Sequence, residues 1–188
     1  MEELSYKEEP WMEKIGGKIV MMSPRPFVKH TMIASNIFAI FHQFLKGKSC
    51  IAFGDGVDVH LDEKNTFVPD VMIVCNHDII HDDAIYGAPD LVVEVLSPST
   101  MLRDRTVKMK TYAAAGVREY WIVTPGTKSV EVYLNQDGTF ELNEVYVDYT
   151  ELELQALDDD ERAAVKWKIK VSLYDDLLVD VKEIFDKV

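Results

Sequence analysis

Three residues of this sequence have types suited to cutting a phosphodiester bond. Asp70 follows Pro69 at the head of the apolar run VMIV. Glu94 interrupts LVVEVL, an otherwise apolar segment. Lys108 lies in RDRTVKMKTY, fourteen residues after Glu94. A glutamate buried in an apolar strand is costly unless a cation, a lysine or a metal answers it. Two carboxylates on neighbouring strands suit a hard divalent ion, and magnesium takes a few carboxylates plus waters. Such an ion polarises phosphate and lowers the pKa of a bound water. A lysine beside it positions that water or stabilises charge on the pentavalent state. The same residues also allow a plain brace, with a Glu94–Lys108 ion pair tying strand to helix and Asp70 merely ending a strand.

The elements that must position these groups can be read from periodicity. Lys18–Met22 reads as a short strand after Gly16-Gly17, stopped by Ser23-Pro24-Arg25-Pro26. Ile33, Ile37, Ile40, Phe41 and Phe44 recur at helical spacing and predict a helix over 29–46, ending at Gly47. Val57, Val59 and Leu61 alternate with Asp58 and His60, as in a half-buried strand. Phe67–Cys75 reads as a strand, Asn76–Ala88 as a polar loop and Leu91–Leu96 as a buried central strand. A helix over 103–115 stops at Gly116. Strands follow at Glu119–Val123, Val130–Leu134 and Phe140–Val147, the last two as a hairpin. The tail holds the acidic run Asp158–Glu161, a strand-like WKIKV and a helix over 173–187. Residues 1–13 read as a polar lead-in or short helix. This order predicts an α/β fold of one domain, 1–188, around a mixed sheet.

Composition narrows the function. The 188 residues are 47% apolar and 28% charged, enough for a real core. Twenty basic residues face 33 acidic ones, for a net charge of −13. Such a chain repels a phosphate backbone unless a metal or a local basic patch intervenes. Cys50 and Cys75 form no CxxC pair, so they are expected to be reduced, partly buried thiols of a cytoplasmic protein. The charged N-terminus has no signal-peptide core, and the apolar run Thr31–Leu45 is too short to span a bilayer, so no membrane association is expected. Gly47-Lys48-Ser49 fails as a phosphate loop, because His42 stands where its first glycine belongs. Gly54-Asp55-Gly56 fails as a dinucleotide fingerprint at Val59, and neither GxSxG nor HExxH occurs. His77 and His81 have a spacing zinc can use, but in an apparent loop they read as solvated.

The segments VPDVMIV, GAPDLVVEVLSPST, RDRTVKMKTYAAAGVREYWIV and SVEVY closely resemble the Uma-type restriction endonuclease family of the PD-(D/E)xK nuclease superfamily. EKIGGKIVMMSPRP followed by His30 resembles that family's opening strand, proline break and helix. The resemblance implies a restriction endonuclease-like core, a central mixed β-sheet flanked by helices. It implies a magnesium-dependent DNA endonuclease, with manganese as a possible substitute. Asp70 matches the PD aspartate and Glu94 the acid of the second element, both as metal ligands, with the Val95 carbonyl as a third. The strand lysine of D/E-x-K is absent, since the stretch reads Glu94-Val95-Leu96. Lys108 on the following helix fits its role, and Lys110 is the weaker candidate.

Other residues are expected nearby. Glu13 could approach the metal, His30 could contact phosphate, and Asp90 shares strand parity with Glu94. Asp104 could pair with Lys108 four residues on. Arg103 and Arg105 could supply the missing basic patch. Ser97 and Ser99 are expected to shape a turn. A non-catalytic interaction protein that keeps the fold, or a hydrolase of another phosphodiester, stand as alternatives. Cutting two strands with one site per chain favours a homodimer, formed through the 130–147 hairpin or the C-terminal helix.

Overall fold

A computed structural model describes residues 12–21 and 27–188. The lead-in before Met12 and the Ser23–Pro26 stop lie outside them. Its centre is a six-stranded sheet built from β3 (Ile51–Gly54), β6 (Val71–Val74), β8 (Leu91–Val95), β9 (Glu119–Thr124), β10 (Ser129–Gln136) and β11 (Thr139–Val147). Their spatial order is β11-β10-β9-β8-β6-β3. β8 and β9 run parallel and the other pairs antiparallel, so the sheet is mixed, as expected. The parallel pair needs a crossover, and the helical segment 101–115 supplies it.

The two faces of β8 explain its nearly unbroken apolar run. Leu91, Val93 and Val95 pack with Ile33, Ile37 and Phe41 of α1 (Val28–Leu45). Val92 and Leu96 pack on the opposite side with Tyr112 and Ala113 of α3 (Met109–Ala115). A strand covered on both faces has no polar side to offer. Glu94 shares the face of Val92 and Leu96, so its carboxylate is directed into a core.

A second, smaller sheet lies over that face. Its order is β2-β1-β5-β4-β7, formed by β1 (Met12–Ile15), β2 (Lys18–Met21), β4 (Val59–Asp62), β5 (Asn65–Phe67) and β7 (Ile85–Tyr86). The segment expected as one strand over 67–75 is therefore divided between the sheets. Buried Pro69, which has no N–H for a ladder, sits at the division. Asp70 is left at the entrance to β6.

Two expectations are corrected. The C-terminal helix is only Val181–Ile184 (α6), preceded by a strand, β13 (Leu178–Asp180), paired with β12 (Lys168–Lys170). Leu177, Val179 and Val181 are buried alternately, which is strand periodicity, and the Asp180 side chain then caps the helix on the Lys182 amide. Cys50 and Cys75 form a disulfide rather than two free thiols. They flank the antiparallel pair Ile51↔Val74, so the β3–β6 register brings them face to face. After a short helix α4 (Glu151–Ala156), the acidic run around 158–161 opens another, α5 (Asp159–Ala164), with Asp158 and Glu161 closing a capping box. No helix among the described residues is long and apolar enough to cross a membrane.

Candidate active site

Asp70 and Glu94 reach one another through strand pairing. β6 pairs β8 with Val71 opposite Val93, and one further step of that register sets Asp70 opposite Glu94. Asp70 Oδ2 accepts from the Val95 amide at 2.6 Å, which ties the PD aspartate to the backbone of the second element. Asp70 is only slightly accessible, and Glu94 is buried.

Lys108 reaches the same place from the crossover. The helix begins at α2 (Met101–Arg103), passes through a π-helical turn at Asp104–Lys108 and continues as α3. Single π turns inside helices frequently mark functional sites. Here the turn buries both of its terminal charged residues, Asp104 and Lys108. The Lys108 ammonium lies 2.6 Å from Glu94 Oε1, 2.9 Å from Glu13 Oε1 and 3.7 Å from Asp104 Oδ1. The Tyr112 hydroxyl donates to Glu94 Oε1 at 3.0 Å, and the Tyr120 hydroxyl donates to the Asp104 carbonyl at 3.0 Å.

The electrostatics follow from burial and imbalance. Burial pushes the Glu94 carboxyl well above the ordinary range, against the attraction of Lys108. Asp104 is raised for the same reason. Burial alone would depress Lys108, but the charges of Glu94, Glu13 and Asp104 override it and hold the ammonium protonated. For Glu13 the balance runs the other way. Lys108, the Val68 amide and Arg103 outweigh its burial and lower its pKa. Three buried acids thus surround one lysine, and Asp104 Oδ1 has no hydrogen-bond partner. Such a cluster is short of positive charge.

His30, in the first turn of α1, stands on the other side of Asp70. Its Nε2 lies 3.3 Å from Asp70 Oδ2. Burial opposes its charged form, but the Asp70 carboxylate prevails and raises its pKa. His30 therefore touches one of the groups expected to hold a metal, Asp70. Among the described residues no three His, Cys, Asp or Glu side chains converge as a preformed cage. The donor set is hard oxygen from Asp70, Glu94 and the Val95 carbonyl, with negative charge in excess. It fits magnesium or manganese, which need few protein ligands and complete their shell with water.

The remaining candidates separate. Glu13 and Asp104 belong to the cluster. Arg103 is bonded to Glu13 at 3.0 Å, and Arg105 forms a two-point pair with Glu131 at 2.9 and 2.5 Å. Neither arginine is therefore an uncommitted phosphate contact. Lys110 is exposed and does not join the cluster. Asp90 lies at the far end of β8, where it accepts from the Cys75 amide and the Arg118 guanidinium. Ser97, Ser99 and Thr100 bond one another in the turn after β8, as expected. His77 Nε2 contacts the Ser49 carbonyl, and His81 packs edge-on to Tyr86. No metal-ligand pairing of these two histidines is seen.

Sequence reasoning missed Asp55 and Tyr112. Asp55 follows Gly54, which pairs with Val71, so the next step of the register faces Asp70. The residue is exposed, yet partial desolvation first and the Asp70 charge second raise its pKa. Only the strand register could have revealed it. Tyr112 lies in the helix expected over 103–115, where nothing singled it out.

Comparisons with known proteins agree with this architecture. The chain is similar over 94% of its length to a protein from Anabaena variabilis described as "a putative nuclease belonging to DUF820". The TM-score is 0.70 at 23% identity, and 90% of that chain is covered, which establishes a shared fold. An uncharacterized protein of Synechocystis sp. is 30% identical over 112 residues, 58% of this chain. The match spans 59% of that protein's own length. The model of the Uma2 family, described as "Putative restriction endonuclease", matches residues 1–165, and the chain belongs to that family.

Proposed function

We propose that this protein is a divalent-metal-dependent DNA endonuclease acting through Asp70, Glu94, Val95 and Lys108. The observation that carries the reading is the Lys108 ammonium, 2.6 Å from a buried Glu94 that lies across the strand register from Asp70. An acid–acid–lysine set is thereby assembled although the lysine has left the strand. Asp70, Glu94 and the Val95 carbonyl would hold magnesium, or manganese in its place. When bound, the ion supplies charge neutralisation at phosphate and a water of lowered pKa.

The chain's own groups do the rest. Asp70, accepting from the Val95 amide, keeps its carboxylate fixed against the end of β8. Tyr112 and Lys108 hold Glu94 in one orientation. Lys108 keeps its charge despite burial, so it can stabilise negative charge that develops on the reacting phosphate. The burial of the cluster strengthens that interaction by excluding water. A net charge of −13 makes the cation the main source of attraction for a polyanion. A symmetric pair of chains would present two such sites to the two DNA strands.

Nicking of supercoiled plasmid in EDTA, magnesium and manganese tests the reading, with wild type beside Asp70→Asn. Metal-dependent nicking confined to wild type is expected. Equal nicking by both proteins, or none by folded wild type on any plasmid or oligonucleotide, would count against it.

A further inference from the structure

Glu13 is a buried acid on β1, in the outlying small sheet, yet its side chain has no solvent exposure. Its two oxygens are committed to nitrogen donors from three other parts of the chain. Oε1 accepts from the Val68 amide at 3.2 Å and meets Lys108 Nζ at 2.9 Å. Oε2 accepts from Arg103 at 3.0 Å. The hairpin β1–β2 is thus tied by one carboxylate to the loop before Asp70, to α2 and to the π turn. Facing donors in this way, Glu13 is a partner of cations rather than of another cation's ligand set.

Lysine carries its charge on a flexible four-carbon stem and makes no fixed fork. One carboxylate alone leaves such an ammonium free to pivot. Glu94 and Glu13, from different sheets, give Lys108 two anchors, and the Phe67 ring lies 5.6 Å from its nitrogen. In the usual arrangement a strand backbone would aim the lysine. Here a side chain on a helix must be aimed by its neighbours.

We propose that Glu13 is a positioning residue that holds the Lys108 ammonium in register with Glu94, and that it is not a metal ligand. This rests on the nuclease reading of Lys108. The test uses the full-length protein and its Glu13→Gln variant, which keeps the shape and loses the charge. Turnover of plasmid in manganese should fall about 30- to 100-fold, with KM and the manganese dissociation constant moving less than about threefold. A rise of more than about tenfold in the manganese dissociation constant would make Glu13 a ligand and overturn the proposal. So would undiminished turnover.

A second readout does not depend on cleavage. A buried, hydrogen-bonded ammonium exchanges its protons slowly enough to give a 1H–15N side-chain signal, assigned by its loss in Lys108→Arg. In Glu13→Gln that signal should shift or broaden. An unchanged signal overturns the positioning role, whether or not wild type cuts DNA. Failure of wild type to cut, with the signal responding as expected, would instead remove the nuclease reading and leave the Glu13–Lys108 anchor standing. Glu13→Asp, which keeps the charge but falls one methylene short, should show the same change in both readouts if Glu13→Gln does not fold.

Discussion

Lys108 and Glu94 meet at 2.6 Å although one belongs to a π-helical turn and the other to a central strand. Their contact does not balance the site, because Glu13 and Asp104 are buried beside the same ammonium. Removing Lys108 leaves Glu94 and Asp104 buried without a cation and Glu13 with Arg103 alone. Lys108→Met should therefore destabilise the fold by about 3–5 kcal/mol at pH 8, the range for breaking a buried ion pair. The sign of the pH dependence follows from Glu94 and Asp104. Burial raises both against the lowering pull of Lys108, so without Lys108 both rise further and the variant gains more than wild type from protonation as pH falls. The penalty should shrink between pH 8 and pH 5 in urea unfolding. A penalty independent of pH would mean that the acids are not mutually repelling.

Glu94 also links metal binding to protons. Its carboxyl is pushed up by burial, so as pH falls the apo site takes up a proton that a divalent ion must then displace. Manganese affinity should therefore rise as pH rises through the elevated Glu94 value. Calorimetric titration in two buffers of different ionisation enthalpy should show proton release on binding. Glu94→Gln and Asp70→Asn should each weaken binding by about tenfold or more, whereas Lys110→Ala should leave it unchanged. Binding without proton release would place the metal away from Glu94.

The parts of the site that could be read in the sequence were those with a local signature. Glu94 betrays itself as the one charge in LVVEVL, and Asp70 by the proline before a β run. The end of the helix of Lys108 was legible from Gly116, which adopts φ +97° there. The π turn was not, because nothing in DRTVK distinguishes it from ordinary helix. Asp55 and the Cys50–Cys75 pair depend on the β3–β6 register, which is a property of pairing between distant segments. The tail misled for a different reason. Its apolar residues suit both periods over a few positions, and the pairing of β12 with β13 decides the matter.

The disulfide makes a direct prediction. Denatured protein prepared without reductant should show no free thiols, and two after reduction. The chain-entropy account puts the stabilisation from a 25-residue loop at about 3.5 kcal/mol. Cys50→Ser should lower the urea midpoint accordingly, and should do so only under oxidising conditions. Two titratable thiols in unreduced protein would restore the expectation of free cysteines.

His30 is the group whose charge should be most visible at ordinary pH. Its pKa is raised by Asp70 against the effect of burial, so the imidazolium forms more readily in the folded protein than in the unfolded chain. Its contribution to stability is complete below about pH 6.5, the unperturbed histidine value, and is lost as pH rises through the higher folded value. Side-chain NMR should show the His30 ring titrating above that unperturbed value in metal-free protein. In Asp70→Asn the hydrogen bond and the charge are both weakened, and burial then dominates, so the titration should move below it. Added manganese should act in the same direction, since a cation held by Asp70 competes with the imidazolium for that carboxylate. A His30 titration insensitive to Asp70→Asn would show that the 3.3 Å contact is not made in solution.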